Sequence, residues 1–99
     1  MIVAATTTDL MDRSRIGASI PDVRFSVDAP ADVVIIDISR GAENVAKIRA
    51  AMPSARIVCY GPHVDDEAAD AARAAGADIV MPRSRFFRDP AAAIGPTDL

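Results

Sequence analysis

The chain has 99 residues, and a polypeptide this short buries only about 60% of its unfolded surface, so residues 1–99 form a single domain and a two-domain enzyme is excluded. Hydrophobic residues make up 51% and charged residues 25%, which places it among globular chains, but the apolar share leans on alanine and aromatic residues reach only 4%, so the core is thin. With 11 Lys and Arg against 14 Asp and Glu, the net charge of -3 argues against nucleic acid as a partner, because neutralising phosphates needs a basic excess.

Ile2 to Ala5 reads as a first strand, and Thr6-Thr7-Thr8-Asp9 offers capping side chains ahead of a helix with Leu10, Ile16 and Ile20 at helical spacing. Pro21 closes that helix. Val23, Phe25 and Val27 alternate with Arg24 and Ser26, the pattern of a peripheral second strand. Val33-Val34-Ile35-Ile36 is β-branched at every position, as a central parallel strand covered on both faces requires, and it ends in Asp37. Glu43 to Met52 is a helix stopped by Pro53, with Val45, Ile48 and Met52 on one side.

Ile57 to Tyr60 repeats the buried-strand signature and breaks at Gly61-Pro62-His63. Asp65, Asp66 and Glu67 then open a helix at its positive end, Arg73 sits in its last turn, and Gly76 is placed for a left-handed cap. Ile79 to Met81 is a last strand before Pro82, and Phe86 to Ile94 leaves room for at most a short, Pro-interrupted terminal helix. No apolar run approaches the ~20 residues that span a bilayer, no basic leader precedes an apolar stretch, and the lone Cys59 can neither close an internal disulfide nor build a Cys/His metal framework. A soluble, cytoplasmic protein without a membrane partner is expected.

Alternating strands and helices imply an α/β fold with an open parallel sheet of about five strands, whose functional groups gather at the C-terminal strand ends. Those ends are Thr6 to Asp9, Asp37 to Arg40, Gly61 to His63 and Pro82 to Arg85. Only five residues, Asp28 to Asp32, separate the second and third strands. They reach about 17 Å, too little for the helix a parallel crossover usually carries. The expectation is therefore a missing helix between strands 2 and 3, one thinly covered sheet face, and association with a second copy or another protein to cover it.

The segments DVVIIDIS, KIRAAMPSARIVCYG and DDEAADAARAAGADIVMPRS together resemble the receiver domain of response regulators, a flavodoxin-like fold, over roughly the C-terminal two-thirds of the chain. The resemblance implies phosphoryl transfer from a histidine kinase to the aspartate that ends the third strand, here Asp37, with Mg²⁺ held by an acidic pair after the first strand. This chain departs from that pattern. Thr6 and Thr7 stand at the acidic pair, Gly61 at the switch hydroxyl, and Met81 at the lysine before Pro82, with Arg83 as a substitute cation if its loop turns inward. The resemblance also implies a cis bond at Met81-Pro82.

The candidate crevice comprises Thr6, Thr7, Asp9, Asp37, Gly61, His63 and Arg83, each with a plainer alternative. Asp37 can cap its turn, Asp9 can cap the first helix, and His63 can be a solvated or capping residue instead of a proton carrier. Arg83, Arg85, Phe86, Phe87 and Arg88 can meet an acidic or phosphorylated partner surface, or form a solvated loop with a phenylalanine packed inward. The expected function is a degenerate, receiver-like signalling module, homodimeric or bound to a signalling partner, with no cofactor and no independent catalysis. The alternatives are a receiver phosphorylated on Asp37 with Mg²⁺, or a small-ligand-binding flavodoxin-like domain.

Overall fold

The computed structural model describes residues 1–39, 41–61 and 66–95. Along the chain these form β1 (Val3–Thr6), α1 (Leu10–Ser19), β2 (Val33–Asp37), α2 (Glu43–Ala51), β3 (Arg56–Gly61), α3 (Asp66–Ala75), β4 (Ile79–Pro82), α4 (Arg83–Phe86) and α5 (Pro90–Ala93). The runs Val33–Ile36 and Ile57–Tyr60 are buried at every position and cannot face water on either side, so β2 and β3 occupy the middle of the sheet. The order is β1-β2-β3-β4, all parallel, with Val34 beside Ile57 and Ile36 beside Cys59.

Side chains alternate across the sheet and divide the core in two. Ala5, Val33, Ile35, Val58, Tyr60 and Met81 meet Ile16 of α1, Phe86 and Ile94 on one side. Val34, Ile36, Ile57 and Cys59 meet Val45, Ile48 and Met52 of α2 on the other, with Ala75 at the end of α3. Both faces are covered, so the thinly covered face expected from chain length is not found.

The segment expected as a second strand explains why. Only Arg24 pairs, as a parallel bridge to Ala4, through Arg24 N–H to Val3 O at 2.9 Å and Ala5 N–H to Arg24 O at 2.8 Å. The Arg24 guanidinium then folds the following chain around itself, donating to the carbonyls of Ser26 at 3.1 Å, Ala29 at 2.6 Å and Pro30 at 3.2 Å. An extended strand through Val27 is incompatible with that curl, and Val27 packs against the opposite cluster from Val23 and Phe25. The fold with about five strands and a missing helix is therefore corrected. Among the described residues four strands form the sheet, and a helix joins each consecutive pair, α2 lying between β2 and β3.

The short terminal helix expected within Phe86 to Ile94 is the single turn α5, preceded by another single turn, α4, and α5 is tied to α1 by Ala91 N–H donating to Ser19 Oγ at 3.1 Å. The Met81–Pro82 bond is trans.

At the opposite end of the sheet Arg49 fastens α2 to the turn before β4. Its guanidinium donates to the carbonyls of Met52, Pro53, Ala55 and Gly76 and to Asp78 Oδ2 at 2.8 Å. Gly76 has φ +120°, the positive φ expected of a glycine that ends α3.

Candidate functional site

Parallel strands present their C-terminal ends on one edge, and Asp37 sits there at the end of β2, half-buried. Its Oδ1 accepts a hydrogen bond from Ser39 N–H at 2.9 Å and its Oδ2 one from Thr7 Oγ1 at 3.4 Å. The first contact is the turn-capping role open to any aspartate after a strand. A depression of about 250 Å³ opens beside it, lined by Thr8, Asp37, Ser39, Gly41, Glu43 and Asn44.

The remaining crevice residues take separate roles. Thr6 and Thr7 are half-buried hydroxyls at the end of β1. Asp9 caps α1, accepting from Met11 N–H at 2.9 Å and Asp12 N–H at 3.0 Å. Gly61 is buried opposite Pro82, while His63 lies outside the described residues. Among the described residues no group of three or more His, Cys, Asp or Glu side chains could hold a metal ion. A Mg²⁺ site fits this edge poorly, because Thr6 and Thr7 offer hydroxyls at the end of β1, Asp9 is engaged in capping α1, and both Asp37 oxygens already accept hydrogen bonds.

Arg83 forms an ion pair with the buried Asp12, a residue that the sequence reading passes over. Asp12, on the inner face of α1, is 1% exposed. It accepts from Tyr60 Oη at 3.0 Å and from both terminal nitrogens of Arg83, the Nη1 contact being 2.9 Å. Arg83 thus does turn inward, but it reaches Asp12 on α1 and leaves Asp37 to Thr7 and Ser39. The Arg83 hydrogen bonds hold the Asp12 carboxyl below its ordinary value against the opposing effect of burial. The same contact raises Arg83. The Tyr60 phenol is pushed up, first by burial and also by the Asp12 and Asp37 charges, while a Thr7 hydrogen bond opposes the shift.

A sequence signal for this pair existed. On α1 the inward row is Asp12 and Ile16, whereas Leu10, expected on the core side, is 76% exposed. An acidic residue four positions before a buried isoleucine calls for a buried cation, and only the fold shows that Arg83 supplies it.

The partner-facing run divides in the same way. Phe86 is fully buried and stacks on Tyr60 with centroids 4.7 Å apart and planes 8° apart, so it belongs to the core and not to an exposed contact. Phe87 is half-buried, edge-on to both rings, with the Arg15 and Arg83 guanidiniums each 5.0 Å from its centroid. Arg85 and Arg88 are exposed.

No protein-family model matches the chain, and no curated protein is significantly similar to it. Solved structures share its fold. A response regulator from Burkholderia pseudomallei, solved with a phosphorylated aspartic acid, calcium and citrate, superposes with a TM-score of 0.80 at 14% identity over 94% of this chain. This chain spans 65% of that protein's length. An atypical orphan response regulator described as having a phosphorylation-independent regulatory mechanism matches with a TM-score of 0.76 and 17% identity, over 95% of this chain and 92% of the other. The CheY-like protein TadZ from Pseudomonas aeruginosa matches with a TM-score of 0.66 and 20% identity, over 85% of this chain and 87% of its own. The parallel sheet with an aspartate closing β2 is the receiver fold of response regulators. Among the described residues no helix is long and apolar enough to cross a membrane.

Proposed function

We propose that this chain is a degenerate receiver module that acts through protein contacts and carries out no metal-dependent phosphoryl transfer at Asp37. The observation that carries this reading is the environment of Asp37, whose two oxygens accept from Ser39 N–H and Thr7 Oγ1. Transfer of a phosphoryl group depends on cations that neutralise charge on the reacting oxygens. Here Met81, buried in the core, stands where receivers carry a lysine, and Arg83, the nearest substitute, is committed to Asp12. Asp37 then serves as the cap of the β2 turn.

The contact surface in this reading is the start of α1 together with α4. On α1 Leu10 and Met11 are 76% and 72% exposed, and Arg15 of the same helix covers the half-buried Phe87 that follows α4. Exposed apolar side chains together with a phenylalanine flanked by guanidiniums suit a protein partner, a second copy of this chain included. The test is incubation with acetyl phosphate and Mg²⁺ followed by intact-mass measurement. Wild type and Asp37→Asn should both remain unmodified. A phosphoryl adduct on wild type that is missing from Asp37→Asn would establish the phosphoacceptor alternative instead.

A further inference from the structure

Along the outer strand β4, on the side of the sheet covered by α4 and α5, lies a cavity of about 330 Å³ that shares no lining residue with the depression beside Asp37. Its floor is apolar, formed by Ile79, Met81 and Ala93, all part of or packed against the core cluster on that side. Its rim carries Arg85 and Arg88, with Arg56 on the β3 wall. Neither Arg85 nor Arg88 makes an ion pair among the described residues. The one acidic side chain at the rim, Asp89, is engaged in capping α5, its Oδ1 accepting from Ala92 N–H at 3.2 Å. An apolar floor edged by a few charged side chains, at the small end of ligand-pocket volumes, suits a small-molecule site. In a chain of net charge -3 this concentration of guanidiniums runs against the overall balance.

We propose that this cavity binds a small organic anion, its hydrocarbon body against Ile79, Met81 and Ala93 and its carboxylate or phosphate held by Arg85 and Arg88. Guanidiniums pair with either oxyanion in forked geometry, so carboxylates and phosphate monoesters share the recognition chemistry. The site is separate from Asp37 and does not depend on the reading of that residue.

The test is a titration of the full chain followed by amide NMR shifts at constant ionic strength, using hexanoate and phenyl phosphate as probes, with hexanol and inorganic phosphate as controls. At least one probe should shift the amides of Ile79, Met81 and Ala93 saturably with a Kd of about 1 mM or tighter, and which probe binds more tightly distinguishes the two oxyanions. Each control carries only half of the recognition and should bind at least about tenfold more weakly. Arg85→Gln/Arg88→Gln, at exposed positions, should weaken the probe about tenfold while leaving the thermal midpoint unchanged. Ala93→Leu, which fills the floor, should abolish binding.

The proposal is overturned if neither probe gives saturable shifts, or if the shifts centre on Asp37 and Ser39. It is also overturned if inorganic phosphate binds as tightly as phenyl phosphate, or if the double arginine variant binds like wild type.

Discussion

Asp12 shows how one buried charge can be an asset only while its partners are present. A carboxylate at 1% exposure is tolerable because Arg83 and Tyr60 donate to it together, and removing one side of a buried pair strands the other. Arg83 keeps a third of its side chain in water, at 33% exposure, so the loss is discounted below that of a fully buried pair. Asp12→Ala should cost about 2 kcal/mol, read as a lower midpoint in urea. Because the folded Asp12 value is lowered from 3.8, its contribution is complete above pH 3.8 and is lost as pH falls from there through the folded value. The variant should therefore show a shallower loss of stability in that acid range than wild type. An identical acid profile would remove Asp12 from the account.

Gly76 is required by both space and backbone geometry. A Cβ there would lie 2.7 Å from Arg49 Cγ and 2.9 Å from its Cβ, at a φ of +120° that disfavours any side chain. Gly76→Ala should cost about 3 kcal/mol, much of it by displacing the guanidinium that holds α2 to the turn before β4. Cys59, by contrast, is inert for a plain reason. Burial in β3 pushes its thiol up to about 12, leaving almost no thiolate to react at neutral pH.

At the scale of elements, α4 is a single turn too short to be stable by its own hydrogen bonds. It is held by what it packs against, with Phe86 stacked on Tyr60 of β3 and Arg83 bound to Asp12 of α1. The two phenylalanines of this turn should separate cleanly on substitution. Phe86→Ala empties a fully buried ring and should cost about 4 kcal/mol. Phe87→Ala, at a half-buried position, should cost about 1 kcal/mol and act instead on association. Equal losses of thermal stability in the two variants would contradict this division. The return from α1 to β2 is likewise an element defined by one side chain, since Arg24 replaces a strand's ladder with hydrogen bonds to three carbonyls of its own loop.

At the scale of the whole molecule, covered sheet faces change the physical basis for association. An uncovered sheet would have demanded a partner, whereas with both faces covered the proposed contact rests on the exposed Leu10 and Met11 and the half-buried Phe87. Sedimentation at micromolar concentration should show self-association, weakened by Met11→Ser/Phe87→Ala with little loss of fold. A well-folded monomer that binds no apolar dye would remove the self-association reading.

The amino-acid sequence carries the α/β order, the buried strands at Val33–Ile36 and Ile57–Tyr60, the α2 and α3 helices and the glycine that ends α3. Each is encoded in a few neighbouring residues through hydrophobic period, capping and breakers. It also located Asp37 at a strand end beside hydroxyls where carboxylates would be needed. The tertiary structure alone decided which cation meets Asp12, which phenylalanine turns inward, and that Arg24 curls its loop instead of extending it. Asp12 and Arg83 are 71 positions apart, and no local period specifies a pairing at that distance. It arises only when the parallel sheet brings the start of α1, the end of β3 and the turn after β4 to one edge.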